Sequence, residues 1–307
     1  MSQALAKRFV VGLSWAVEDE DGASMEVAAS DLRALTYASE LAQKAGGEVR
    51  VVHVIDFLSH RREGDAGDLD DVAQKAMGGL AAEHPSTTAV VRRGQAWREL
   101  IREAVACEAD AIVVAPRRDN LGLVDRLFYG STARRLLRYA PTSVLVVPPS
   151  VELPVRSVIA LLGGTEEGDL PVIEAARAYA DHLGAERHAL HCLEYPSDIA
   201  LHRLPQAKDA IARYHAEVRE QAEQMLHRAL GDGWQLHFSD DWVVRTAPKV
   251  ADAQNIGLVV MSARKQHGIA GLLGHTADKL LERDLEAAVL VVRPPGWREQ
   301  ALATLDD

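Results

Sequence analysis

The stretch GSTARRLLRYAPTSVLVVPP, Gly130–Pro149, is written a second time late in the chain as GHTADKLLERDLEAAVLVVRPP, Gly274–Pro295. Each copy reads Gly-x-Thr-Ala, a Leu-Leu pair one turn later, then Val-Leu-Val-Val and proline. A helical segment running into a continuous apolar run is a helix leading to a strand covered on both faces. Outward from this pair, further matches keep the same order. Gly46–Asp56 (GGEVRVVHVID) parallels Gly184–Glu194 (GAERHALHCLE), which sets His53 opposite His191. Phe9–Leu13 parallels Val158–Leu162, and Ile112–Val114 parallels Leu258–Val260. The copies lie 138 to 149 residues apart. Solenoid repeats are only about 20–50 residues long, so a period of this size means a duplicated domain. Between the copies, Pro148-Pro149-Ser150-Val151-Glu152-Leu153-Pro154 resists both helix and sheet. The division expected is therefore a domain at 1–150, a second at 151–295, and a tail at 296–307.

Within each copy, strands and helices alternate. In the first, Phe9–Leu13, Glu48–Ile55, Ala89–Arg92, Ala111–Ala115 and Ser143–Val147 are short apolar or β-branched runs. Leu35, Ala38, Ala42 and Ala45 form a helical stripe that stops at Gly46-Gly47, and Ile173, Ala176, Ala180 and Leu183 repeat it before Gly184. Trp97–Cys107 and Ser131–Tyr139 read as two more helices, Gln206–Leu230 as a long one, and Asp68–Glu83 as its fainter counterpart. The fold class expected is α/β: two tandem doubly wound domains, each a five-stranded parallel sheet flanked by helices.

Composition narrows the function classes. The 307 residues carry a net charge of −11 and are 48% hydrophobic, which fits two globular domains. A sequence pI near 5.6 argues against nucleic acid as the main partner, while leaving room for a small anion at one local site. No apolar run is long enough to span a membrane. Lys7-Arg8 followed by Phe9–Val17 imitates a signal peptide, but Glu18–Asp21 follows without a cleavage pattern, so a buried first strand is expected. Two cysteines, Cys107 and Cys192, make no disulfide framework, and a cytoplasmic setting is the default.

In an open parallel sheet, ligands sit beyond the carboxyl ends of the strands, where strand order reverses. That points to Ser14 onward and Pro116–Gly130 in the first copy, and to Gly163 onward and Ser262–Gly274 in the second. Gly130-Ser131-Thr132 and Gly274-His275-Thr276 each precede a helix, whose free N–H groups and positive end suit an anion.

The ordered set of strand, APRRDNLGL, LFYGSTA, helix and APTSVLVVP resembles the universal stress protein family, in its tandem, two-domain branch. The second copy resembles it through VVMSARKQHGI, LLGHTA and AVLVVRP, and Gly94–Ile101 matches the family's glycine-led helix start. The resemblance implies the universal stress protein fold, of adenine nucleotide alpha hydrolase type, with the two domains paired through their last strands. It leaves room for a homodimer and raises ATP as a cofactor, which some members bind and others do not.

Members that bind ATP carry G-x2-G-x9-G-(S/T) and tend to carry an Asp after the first strand. Counting back from Gly130, the glycine positions hold Arg117 and Asn120, or Pro116 and Asp119 with a one-residue insertion. In the second copy they hold Met261 and Arg264, or Ser262 and Lys265. The Asp is replaced by Ser14 and Gly163 nearby. The missing glycines disfavour a backbone that closes around a triphosphate, and Pro116 would remove a donor. The second half is the better placed, since Arg264, Lys265 and Lys279 offer side-chain charge. The plain alternative is that these cations face solvent.

Nothing in the sequence marks a catalytic residue or a metal site. Nine of the twelve histidines lie after residue 155, yet only His188 and His191 have close spacing, and three residues apart on a strand they face opposite ways. His53 and His191 read as packing or ligand-rim residues, and Cys107 as a buried thiol. Two readings follow: a non-enzymatic binding protein for a small-molecule ligand or protein partner, and a nucleotide-dependent protein working through its second half. The ligand positions expected are Ser14, Gly130, Ser131, Thr132, Gly163, Arg264, Lys265, Gly274, His275 and Thr276.

Overall fold

The computed structural model describes residues 5–17, 25–55, 66–84, 86–116, 131–164, 166–193, 208–263, 280, 285–293 and 297–298. In chain order the first half contains β1 (Arg8–Leu13), β2 (Trp15–Val17), β3 (Met25–Val27), α1 (Ala29–Ala45), β4 (Glu48–Ile55), α2 (Ala66–Glu83), β5 (Thr87–Arg93), α3 (Ala96–Ala106), β6 (Ala111–Val114), α4 (Ser131–Tyr139) and β7 (Ser143–Val146). The second half follows with β8 (Ser157–Leu162), α5 (Glu166–Leu183), β9 (Glu186–Cys192), α6 (Lys208–Leu230), β10 (Trp234–Ser239), α7 (Val243–Ala253), β11 (Leu258–Ser262) and β12 (Ala288–Val292).

Ten of these strands form one sheet in the order β10-β9-β8-β11-β12-β7-β6-β1-β4-β5. Each half contributes five strands in the same parallel order, with the reversal between its first and fourth strands. The halves meet where β12 pairs antiparallel with β7, through Leu290 opposite Leu145. The two tandem doubly wound domains expected from the sequence are present, joined through their last strands.

Alternation along the strands divides the core in two. Phe9, Val11, Ala111, Val113, Val158, Ala160, Leu258 and Val260 face the layer that holds α1 and α5. Val10, Ile112, Ile159 and Val259 face the opposite layer, with Leu100 and Ile101 of α3, Leu136 of α4 and Ala247 of α7. Both cores run without interruption from one half into the other.

The two leading helices end alike. Gly46 takes φ 62° and the amide of Gly47 reaches the Ala42 carbonyl; Gly184 takes φ 67° and the amide of Ala185 reaches the Ala180 carbonyl. Glycine adopts this left-handed turn without a Cβ penalty. The same two helices tie the halves together. The Tyr37 hydroxyl donates to the Gly257 carbonyl at 3.3 Å, and Tyr179 hydrogen-bonds the backbone of Ala6.

Two local expectations change. The apolar run Phe9–Val17 is not one strand: β1 ends at Leu13, and after Ser14 the chain enters a separate antiparallel hairpin of β2 and β3. The internal alignment also shifts by one residue at the fourth strands. Ala111 stands beside Phe9, and Leu258 beside Val158, so Ala111 and not Ile112 is the counterpart of Leu258. Valine-rich runs look alike in either frame, and only the face on which each side chain lies separates them.

The C-terminal arm crosses to the first half. Arg293, just beyond β12, is buried and donates to the carbonyls of Leu136, Leu137 and Thr142 at the C-terminal end of α4. Trp297 donates to the Ala140 carbonyl at 2.9 Å and lies against the Arg293 guanidinium. A cation at the negative end of a helix is well placed. The segment read from sequence as the start of a tail is therefore anchored at Trp297.

Candidate functional site

The loops that leave β1 and β8 lie at the carboxyl ends of the sheet, where a ligand is expected, and each is held by an aspartate from the first turn of the next helix. In the first half, Asp31 of α1 accepts from the Ser14 amide at 2.6 Å and from the Ser14 hydroxyl. In the second, Asp169 of α5 accepts from the amides of Gly163 and Gly164, one carboxylate oxygen to each, both at 2.7 Å. Both carboxylates are buried, at 4% and 6% exposure. A buried carboxylate is tolerable here because backbone N–H groups donate to it and the helix N-terminus is positive. The capture of Ser14 also explains why β1 stops at Leu13: that amide is withdrawn from the sheet ladder.

A histidine stands beside each loop. His53 of β4 places Nδ1 3.2 Å from the Leu13 carbonyl, and His191 of β9 places Nδ1 3.1 Å from the Leu162 carbonyl. A carbonyl only accepts, so Nδ1 carries the proton in both. In the second half the loop presses on this ring. Gly164 has φ +80°, and a Cβ there would lie 2.9 Å from His191 Cε1.

Of the residues expected to meet a ligand, Ser14 and Gly163 thus have their amides bound by carboxylates of the chain itself. Ser131 and Thr132 are the first two residues of α4. Gly130, Arg264, Lys265, Gly274, His275 and Thr276 lie outside the described residues. Asp31 and Asp169 are absent from the sequence-derived set. Their signal is present: Asp31-Leu32-x-Ala34-Leu35 and Asp169-Leu170-x-Val172-Ile173 are 138 residues apart, as are the helical stripes they begin.

Other reactive groups fall elsewhere. His188 turns away from His191 and meets His237 of the neighbouring strand, Nδ1 to Nε2 at 3.1 Å with the rings nearly parallel. Burial holds both imidazoles below their ordinary pKa, and His188 depresses His237 further. Cys107, expected as a buried thiol, is only half-buried, and that partial burial pushes its thiol up, which makes it a poor nucleophile. Among the described residues, no group of three or more His, Cys, Asp or Glu side chains is placed to hold a metal ion. No helix among them is long and apolar enough to cross a membrane.

The sequence pattern of the universal stress protein family matches the chain twice in tandem, over residues 27–148 and 155–293. The chain belongs to the universal stress protein family. Solved structures agree with this tandem member in fold. A functionally unknown protein from Pseudomonas aeruginosa PAO1 superposes with a TM-score of 0.69 at 20% identity, covering 99% of this chain and 98% of that one. A universal stress protein from Archaeoglobus fulgidus DSM 4304 gives 0.65 at 14% identity, covering 95% and 97%. No curated protein matches the sequence.

Proposed function

We propose that this tandem universal stress protein is non-catalytic and acts by binding a small ligand or a protein partner, with nucleotide loops that are degenerate in both halves. One observation carries the reading: the Asp169 carboxylate accepts from both Gly163 and Gly164, and Asp31 does the same for Ser14. These three backbone donors at the ligand end of the sheet are already engaged, and the groups engaging them are anionic. An anion brought to either loop would meet a buried carboxylate rather than free amides. The replacement of the loop glycines by Arg117 and Asn120, and by Met261 and Arg264, acts in the same direction. Cysteine usage and the pattern of the sequence are consistent with a cytoplasmic setting.

A second reading keeps ATP, bound through the second half with Arg264 and Lys265 supplying charge beside Gly274, His275 and Thr276. One experiment separates the two. The protein is purified without added ligand and examined by native mass spectrometry, then titrated with ATP and Mg²⁺ by calorimetry. The first reading expects no co-purified adenine nucleotide and no binding heat. Bound nucleotide or micromolar affinity overturns it, and loss of that affinity in Lys265→Ala assigns the site to the second half.

A further inference from the structure

The outer layer of the first half is cationic in a chain whose net charge is −11. Helices α3 and α4 together carry five arginines, no lysine and two glutamates. Both glutamates are buried and already paired: Glu103 with Arg50 and Arg92, at 2.7 and 2.6 Å, and Glu99 with Arg102. Arg98, Arg135 and Arg138 are exposed and meet no carboxylate among the described residues. The duplicated counterpart of α3 does not share this character, since α7 holds one arginine, one lysine and one aspartate, and its Arg245 pairs with Asp241.

Two of these arginines lie against one aromatic ring. The Arg98 guanidinium lies 5.2 Å and the Arg135 guanidinium 5.8 Å from the centre of the Trp97 ring. Tyr139, 39% exposed, packs its ring 5.4 Å from Trp97. A guanidinium laid against an indole keeps its N–H edges outward and loses little further freedom on binding. Planar forks of this kind match carboxylates and phosphates bidentately, which a lysine ammonium cannot do.

We propose that the α3–α4 face is the docking surface for an acidic segment of a partner protein, gripped by Arg98, Arg135 and Arg138 around Trp97 and Tyr139. This narrows the protein-partner branch of the reading above and rests on it. Nucleic acid fits less well. Each helix is only about 15 Å long, and a polyanion with a charge every ~1.7 Å would overrun the face into the acidic remainder of the chain. A short acidic segment matches the face and ends with it.

The test uses the full chain and a fluorescent peptide of Glu, Asp and Leu, followed by anisotropy, with random-sequence duplex DNA as the competing probe. The peptide is expected to bind, to weaken with salt, and to weaken about tenfold or more in Arg98→Glu/Arg135→Glu. Arg213→Glu/Arg219→Glu on α6, with the same charge change, is expected to leave binding within twofold of the parent after the common effect of net charge. If the first variant fails to fold, Arg98→Gln/Arg135→Gln gives the same readout. Absence of peptide binding, equal weakening in both pairs, or DNA binding more tightly through the same arginines overturns the proposal. None of these outcomes touches the ATP titration, so the broader reading stands or falls separately.

Discussion

Tyr37 and Gly257, 220 residues apart, are joined by a hydrogen bond from the phenol to the carbonyl at 3.3 Å. Tyr37 is wholly buried, and that burial pushes its phenol far above the ordinary tyrosine range. The group is therefore a donor at every working pH. Tyr37→Phe removes this donor while the Gly257 carbonyl keeps the Ala288 amide at 3.1 Å, so a modest cost of about 0.5–1 kcal/mol is expected. Urea denaturation checks this, and both halves are expected to lose stability in one transition, because the bond and the two cores span them.

The aspartates of the two loops carry a larger contribution. Asp169→Ala frees the amides of Gly163 and Gly164 in a buried setting and is expected to cost about 2–3 kcal/mol. Asp169→Asn keeps one acceptor oxygen and is expected to cost less. Hydrogen exchange gives the local readout: faster exchange at residues 163 and 164 in both variants, largest in the alanine. Unchanged exchange there would remove Asp169 from the role assigned to it.

Gly164→Ala combines two penalties. The φ of +80° disfavours any side chain, and the new Cβ would meet the His191 ring at 2.9 Å. A loss of about 2 kcal/mol or more is expected. The companion variant His191→Ala removes the ring, so the double variant should recover part of the loss of the first. Simple additivity would show that the ring is not the obstacle.

Stability should fall on acidification because of His188 and His237. Burial lowers both pKa values, so the folded state holds fewer protons than the unfolded state. Their contribution is full above the unfolded histidine value, near 6.5, and is lost as pH drops through and below it. Denaturation midpoints between pH 7.5 and 5 are expected to flatten in His188→Gln/His237→Gln, compared with the parent.

Arg293 links α4 to the far end of the chain. Arg293→Met keeps bulk but withdraws donors from Leu136, Leu137 and Thr142, at a cost of about 2–4 kcal/mol. Faster amide exchange confined first to residues 136–142 is the expected signature. Trp297→Phe should show a weaker form of the same pattern.

Much of this architecture was legible in the chain because duplication printed it twice. Several strand–helix steps in one half have a partner in the other, so a weak pattern gained a second witness. What escaped is instructive. A one-residue slip at Ile112 and Leu258 is invisible in Val-rich letters, since only face distinguishes the frames. The hairpin after Ser14 was hidden in an apolar run, and what ends β1 is a carboxylate 17 residues downstream. Asp31 and Asp169 looked like ordinary acids in a helix's first turn, because what they bind is a loop brought near by folding. His188 and His237, 49 residues apart, are neighbours only through strand pairing. Sequence periodicity reports which face a residue takes, but not what arrives opposite it from another element.

The antiparallel seam between β7 and β12 has a consequence for how the halves can change. Two separate subunits joined this way would come apart on dilution and would have to remain identical to keep their match. Here the tether fixes the effective concentration of one half at the other, whatever the protein's abundance. Each half is released from copying its sibling, which is how α3 can lay Arg98 against Trp97 while its counterpart α7 pairs Arg245 with Asp241.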